Sequence, residues 1–221
     1  MKNLSSRYAP FLNLCNAISI MLVIWANHSK AETKTILAFG DSLTQGYGLP
    51  AEVGFVPQMS TWLEERGISN QMINAGVSGD TTAGGLARLE WTLFQPVDLV
   101  ILNLGSNDML RGLNPFLTYD NLNKIMEKLQ NHKIPTLLIG HHAPLNYGAS
   151  YKEEFEKAFA KLAIKYGVSF YPFYFKALMG PDQVSPDVQR YFQNDGLHPN
   201  AQGVSAIVSK IGPYVVRALG S

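Results

Sequence analysis

One stretch of the sequence, residues 97–104, constrains the fold more than any other. It consists of VDLVILNL, an almost continuously apolar run with the length of a strand. Such a run is typical of a strand that is covered on both faces, as in a parallel sheet between two layers of helices. Four further segments favour strands, because they are rich in apolar and β-forming side chains between turn residues: 35–39, 68–74, 136–139 and 168–171.

Helical patterns occupy the segments between and after these strands. Apolar residues recur there at helical spacing, in the segments 54–67, 86–94, 122–129, 151–166 and 201–219. Strands that alternate with helices require right-handed crossovers and therefore a parallel sheet. We predict an α/β protein, a three-layer α/β/α sandwich with a five-stranded parallel sheet.

In that architecture the carboxyl ends of the strands meet at one edge of the sheet, where open α/β sheets bind their ligands. The loops after the first four strands, and the loop before the last helix, lie at this edge. Their polar residues and glycines include Ser42, Gly79, Asn107, His141 and His198. These loops are where we expect the chemistry of the protein.

The composition limits the classes of function. With 221 residues, of which 46% are hydrophobic and 16% charged, the chain suits one globular domain with a sizeable core. Its formal net charge of +1 provides no basic surface for nucleic acid, so no nucleic-acid partner is expected. We expect a monomer that acts on small molecules.

The N-terminus differs from the rest of the chain. Lys2 and Arg7 precede an apolar run over residues 17–26, and Ser29-Lys30-Ala31 provides small residues for cleavage. This pattern predicts a secretory signal peptide over residues 1–31, a domain over 32–221, and a periplasmic or secreted protein without stable membrane insertion after cleavage. An uncleaved anchor remains the alternative. The only cysteine, Cys15, lies in this leader, so the mature chain would hold no disulfide.

A candidate nucleophile and a candidate base are far apart in the sequence. Ser42 follows the first strand in the turn Gly40-Asp41-Ser42, and a hydroxyl there is well placed to attack a carbonyl, although a turn or helix cap would use the same residues. A serine needs a base within hydrogen-bond reach, and the base must be oriented by another group. His198 and Asp195 provide these two functions, unless Asp195 only begins a turn.

Two further residues have the chemistry of an oxyanion hole. A tetrahedral oxyanion needs hydrogen-bond donors that are already aimed at it. Gly79 allows a backbone N–H to approach a substrate closely, and the amide of Asn107 is a second donor. Each residue would serve equally well as an ordinary loop residue.

Together these blocks resemble the SGNH (GDSL) hydrolase family, and more narrowly its bacterial thioesterase I, arylesterase and lysophospholipase group. The resemblance extends from about residue 36 to 219 and rests on the ordered blocks GDSL at 40–43, Gly79, GSND at 105–108 and DGLH at 195–198. It implies a flavodoxin-like fold without a metal or organic cofactor. It also implies a catalytic triad of Ser42, His198 and Asp195, with an oxyanion hole formed by Ser42, Gly79 and Asn107.

The sequence also departs from the family pattern. Ser106 occupies a position where members of the group usually have Gly or Ala, and Gly140-His141-His142-Ala143 replaces a segment that commonly begins Gly-Met-Arg. The roles of His141 and His142 stay open, a metal site being the alternative to a pocket rim. The motif G-x-S-x-G is absent around Ser42, which argues against an ordinary α/β-hydrolase elbow.

Apolar residues near the predicted site are candidates for binding an acyl chain. We predict that substrate contacts Met109, Leu110, Leu145 and Tyr147. The aromatic residues 173–175 suit an acyl groove or the core, and Asp41 suits a structural helix cap.

The sequence thus predicts a serine esterase that hydrolyses carboxylic esters or thioesters, such as aryl esters, lysophospholipids or acyl thioesters, through an acyl-enzyme. The substrate partner would be a small acyl ester or a lysophospholipid. Two rivals remain: a carbohydrate O-acetylesterase on the same scaffold, and a binding module without catalysis. Chain-length preference and the choice between ester and thioester stay open.

Overall fold

A computed structural model describes residues 32–179 and 188–220. The predicted signal peptide, residues 1–31, lies outside the described residues. A five-stranded sheet forms the centre of the described part, with every neighbouring pair of strands parallel. Its strands are β1 (Lys34–Gly40), β2 (Asn70–Gly76), β3 (Leu99–Asn103), β4 (Thr136–Ile139) and β5 (Ser169–Tyr171).

Helices connect the strands in the order that a parallel sheet requires. The described residues contain α1 (Ser42–Gln45), α2 (Phe55–Glu64), α3 (Thr82–Thr92), α4 (Ser106–Leu110), α5 (Pro115–Asn131), α6 (Ala149–Tyr166) and α7 (Ala201–Ala218). Short 3₁₀ turns occur at 51–53, 145–147, 174–178 and 188–191. Within these described residues, no helix combines the length and the apolar character that crossing a membrane would need.

The helices cover both faces of the sheet. Along β1, Ile36 and Ala38 pack into a core with α2 and α7, whereas Leu37 and Phe39 pack into a second core with α3, α5 and α6. All five residues of β3 are buried, as expected for a central strand covered on both faces. The predicted three-layer α/β/α architecture is therefore confirmed.

The strand order places a cleft between β1 and β3. The order is β2-β1-β3-β4-β5, so the chain leaves β1 in one direction along the sheet and leaves β3 in the other. Ligands of such sheets bind where the direction of winding changes, at the carboxyl ends of the strands. Helix α1 begins just after β1 and α4 just after β3, so Ser42 and Asn107 both lie at this point.

The sequence predicted all five strands, four of them with errors at their boundaries. It did not predict the two short helices α1 and α4. The third strand begins at Leu99 rather than at residue 97, because the Asp98 carboxylate accepts a hydrogen bond of 2.7 Å from the N–H of Thr35. Helices α1 and α4 have four and five residues, too few to produce a periodic pattern.

Candidate active site

The structure brings Ser42, His198 and Asp195 together in one hydrogen-bonded chain. The Nε2 atom of His198 lies 2.9 Å from the Ser42 hydroxyl oxygen, and its Nδ1 atom lies 2.6 Å from a carboxylate oxygen of Asp195. With Nδ1 protonated toward Asp195, Nε2 is free to accept the hydroxyl proton. This arrangement can convert a weakly nucleophilic hydroxyl into an attacking alkoxide.

Asp195 is held by the same turn that presents the imidazole. Its second carboxylate oxygen accepts hydrogen bonds from the backbone N–H groups of Leu197, at 2.9 Å, and His198, at 3.0 Å. These bonds, with the contact to the His198 ring, lower the pKa of Asp195 to about 2. The carboxylate is therefore ionised at neutral pH and can stabilise an imidazolium.

Local structure also explains why Ser42 is presented at the carboxyl end of β1. Asp41 caps α1, because its side chain accepts a hydrogen bond of 3.0 Å from the N–H of Leu43. Ser42 is the first residue of that helix, so its own N–H has no acceptor in the helix. Ser42 lines the cleft, so its hydroxyl and an N–H without an acceptor in the helix belong to a residue of the cleft wall.

The loop after β2 positions Gly79. Its φ of +78° is a conformation that favours glycine, and its carbonyl accepts a hydrogen bond of 2.8 Å from Arg111. Gln45 fixes the preceding residue, since its side-chain oxygen accepts hydrogen bonds from the N–H of Ser78, at 3.1 Å, and from the Ser78 hydroxyl, at 2.5 Å. Two independent contacts therefore tie the Gly79 loop to the elements that carry Ser42 and Asn107.

Asn107 completes the set of donors. It lies in α4, and its Nδ2 atom is 3.4 Å from a carboxylate oxygen of Asp41. Nδ2 carries two hydrogens, so one remains for a ligand in the cleft. Ser42, Gly79 and Asn107, predicted from separate parts of the chain, all line this one cleft.

The sequence is also similar to known proteins. Residues 38–206 match the GDSL-like lipase/acylhydrolase family. The chain belongs to that family. The solved structure of AlinE4, an esterase of the SGNH-hydrolase family, is 44% identical, covering 87% of this chain and 100% of its own, with a TM-score of 0.68.

Two curated relatives extend the comparison. Esterase TesA of Pseudomonas aeruginosa is 33% identical, with 83% of this chain and 89% of the relative covered. Thioesterase 1/protease 1/lysophospholipase L1 of Escherichia coli K12 is 31% identical, with 83% and 84% covered. The predicted family is therefore confirmed, and the protein is an ester hydrolase with the fold of this family.

The cleft of this GDSL-family member has a volume of about 400 Å³. The predicted site residues lie in its wall, together with the predicted substrate contacts Met109 and Leu110. Sequence reasoning had assigned no binding role to several other residues that line it, namely Leu43, Tyr47, Ser78, Ser106 and Leu197. Beside the triad and the oxyanion donors the wall is mainly apolar, with the hydroxyl groups of Tyr47, Ser78 and Ser106 as further polar groups, and it suits an acyl chain beside a reacting ester.

Leu145 and Tyr147, which were predicted to contact substrate, do not line this cleft. The Tyr147 hydroxyl donates a hydrogen bond of 3.1 Å to the carbonyl of Leu110, and its ring lies 5.0 Å from the ring of Tyr151. Leu145 is 67% exposed. Tyr147 is thus connected to the cleft wall through the backbone of Leu110, whereas Leu145 is mostly exposed.

The sequence left either an acyl groove or the core open for the aromatic residues 173–175, and the three residues do not share one environment. Phe175 lines the cleft. Tyr174 is fully buried, and its hydroxyl donates a hydrogen bond of 3.3 Å to the carbonyl of Leu43. Phe173 stacks on His142 with ring centroids 4.0 Å apart.

The two adjacent histidines point into different surroundings. His141 is buried between Phe159 and Tyr174, and burial lowers its pKa to about 3, so the ring is neutral. His142 is half-buried against Phe173, and burial lowers its pKa as well. No group of three or more His, Cys, Asp or Glu side chains in residues 32–179 and 188–220 is arranged to hold a metal ion.

Tyr47 is a site residue that the sequence gave no reason to select. Its ring centroid lies 4.7 Å from that of His198, and its carbonyl accepts a hydrogen bond of 2.8 Å from Gln193. Gln193 also donates its backbone N–H to the carbonyl of His198, at 2.8 Å. The Gly-Tyr-Gly loop after α1 was the only available signal, and by itself it indicates a turn.

Proposed function

We propose that this protein is a serine esterase in which Ser42 is the nucleophile, His198 the general base and Asp195 the residue that orients it. The observation that carries the proposal is the continuous contact from the Ser42 hydroxyl to Nε2, and from Nδ1 to the Asp195 carboxylate, at 2.9 and 2.6 Å. The chain needs no metal or organic cofactor for this chemistry.

The reaction proceeds in two halves. The Ser42 oxygen attacks the carbonyl carbon while His198 takes the hydroxyl proton, and the oxyanion is stabilised by the N–H groups of Ser42 and Gly79 and by the Asn107 amide. His198 then gives the proton to the leaving alcohol or thiol, and the acyl group remains on Ser42. In the second half His198 activates water, which releases the acid and restores the free serine.

We propose oxygen esters of apolar acyl chains as the substrate class, including aryl esters and lysophospholipids. The cleft is lined largely by apolar side chains, which suits an acyl chain, and one relative is named as both a thioesterase and a lysophospholipase. Acyl-CoA is mainly cytoplasmic, so an exported enzyme would meet oxygen esters more often than thioesters.

Ser42→Ala tests the proposal on a panel of p-nitrophenyl esters from acetyl to palmitoyl, beside an acyl-CoA assay. We expect kcat to fall at least about 10³-fold, because only oxyanion stabilisation and binding remain. Ser60→Ala, remote from the cleft, is the matched control, since the Ser60 hydroxyl bonds only Asn70 and Glu64. Turnover of Ser42→Ala within a few-fold of the parent would remove Ser42 from the mechanism, and activity confined to acetyl esters would favour an O-acetylesterase.

A further inference from the structure

The buried carboxylate of Asp41 connects the nucleophile turn to Asn107. One carboxylate oxygen accepts the N–H of Leu43 at 3.0 Å, which fixes the first turn of α1. The other accepts a hydrogen bond from the Ser106 hydroxyl and lies 3.4 Å from Nδ2 of Asn107. Asp41 is completely buried, so this carboxylate has no solvent contact to replace a lost donor.

Two side-chain groups approach that second oxygen, the hydroxyl of Ser106 and the amide of Asn107. The Asn107 contact, at 3.4 Å, is long for a hydrogen bond and does not by itself fix the position of the carboxylate. Ser106 is also the first residue of α4; it is buried, it lies in the wall of the cleft, and its hydroxyl is turned toward Asp41. An alanine or glycine at 106 would leave the oxygen to Asn107 alone.

The pKa of Asp41 also indicates that the hydrogen bond from Ser106 matters. Burial raises the pKa of Asp41 to about 6, and the hydrogen bonds from Ser106 and Leu43 oppose this by favouring the ionised form. The charged or titratable groups around this carboxylate are His198, which favours its ionisation, Asp80, which opposes it, and the phenol of Tyr174. The Ser106 donor therefore helps to keep a buried acceptor charged beside Asn107.

We propose that Ser106 is a positioning residue for the oxyanion hole, acting through Asp41 on the side-chain amide of Asn107. The inference rests on the proposed role of Asn107 as an oxyanion donor. With Asp41 held by Ser106, one hydrogen of Nδ2 is directed to the carboxylate and the other to the cleft. Without the hydroxyl, the amide can rotate away from the position where the oxyanion forms, and the transition state loses a preorganised donor.

The first experiment measures steady-state hydrolysis of p-nitrophenyl butyrate by Ser106→Ala, Ser106→Gly and Ser106→Thr. We expect Ala and Gly to lower kcat about 10-fold with KM within 2-fold, because the lost contact acts in the transition state. Thr keeps the hydroxyl and should return kcat to within about 3-fold of the parent. Ser60→Ala, which also removes a hydroxyl bonded to a side-chain oxygen, at 2.8 Å, should leave kcat unchanged.

A double-mutant cycle with Asn107→Ala then identifies the path of the effect. If Ser106 acts through Asn107, Ser106→Ala should lower kcat less than about 2-fold once Asn107 is already alanine. An equal loss in both backgrounds, or no loss in the parent, overturns the inference and leaves the proposed function intact. If Asn107→Ala itself leaves kcat unchanged, the proposed oxyanion hole is wrong, and the inference fails with it.

Discussion

Single buried residues determine much of the chemistry at the carboxyl edge of this sheet. Asp41, which the sequence predicts to be only a helix cap, bonds both the α1 turn and the residues of α4. Asp195 has the opposite environment. It is partly exposed, and three hydrogen-bond contacts lower its pKa to about 2. Two carboxylates of one site thus differ in pKa, because one is buried and the other is surrounded by hydrogen-bond donors.

His141 leads to a prediction about stability against pH. Its pKa is lowered by burial to about 3 in the folded protein, against 6.5 for an exposed histidine. The unfolded chain therefore binds more protons between pH 6.5 and pH 3, so the free energy of unfolding falls as the pH drops through this window, by at most about 1.4 kcal/mol per pH unit. In His141→Phe this contribution to the pH dependence should be absent. The Tm of the variant should therefore fall less than that of the parent between pH 7 and pH 5.

Thermal unfolding at several pH values is the measurement, with His132→Gln as the matched control, since His132 is an exposed histidine about half accessible to solvent. Asp41 is present in all three proteins, so the difference between them isolates His141. The Nε2 atom of His141 has no hydrogen-bond partner, so Phe costs no contact at this atom. Equal slopes of Tm against pH in the parent and His141→Phe would contradict the assignment of a neutral buried ring.

At the scale of elements, the site depends on how closely α1 approaches the ends of the strands. A Cβ atom at Gly40 would lie 2.1 Å from the Thr44 hydroxyl oxygen and 2.6 Å from the carbonyl oxygen of Asn103. The second contact is to backbone and cannot move without displacing β3. The glycine at the end of β1 therefore allows the Ser42 turn to pack against the neighbouring strand.

We expect Gly40→Ala to lower the free energy of unfolding by about 2 kcal/mol or more and to reduce kcat, because the Ser42 turn must shift. Gly54→Ala is the control: its backbone has a φ of −73°, and the nearest atom to a new Cβ is 3.4 Å away. Denaturant unfolding and ester hydrolysis of both variants are the measurements. A Gly40→Ala variant as stable and active as Gly54→Ala would refute the close-approach argument.

Much of the arrangement of strands and helices could be predicted from the sequence, and the exceptions have physical reasons. The fourth strand was predicted at residues 136–139, as observed, because its apolar run ends abruptly at Pro135 and Gly140. Alternation of elements also placed Ser42, Gly79, Asn107 and His198 at one edge. Contacts such as that of Tyr47 with the ring of His198 join loops 151 residues apart and leave no local pattern.

At the scale of the whole molecule, the sheet with its two cores is complete without the predicted leader. The first strand begins at Lys34, three residues after the proposed cleavage point, so removal of residues 1–31 would leave every described element intact. From the N-terminal sequence pattern we propose an exported enzyme. Expression of the full chain in a Gram-negative host, followed by fractionation and N-terminal sequencing, should give a periplasmic protein that begins at Glu32. Retention of residues 1–31 in the membrane fraction would favour an uncleaved anchor instead.

The most direct test of the account is covalent trapping of the nucleophile. A fluorophosphonate reacts with an activated serine hydroxyl, and mass spectrometry of the digested protein locates the adduct. We predict one phosphonyl group per chain, on the peptide that contains Ser42, with loss of ester hydrolysis in the same proportion and slow labelling in His198→Ala. Full labelling at another residue, or complete inactivation without an adduct on Ser42, would contradict it.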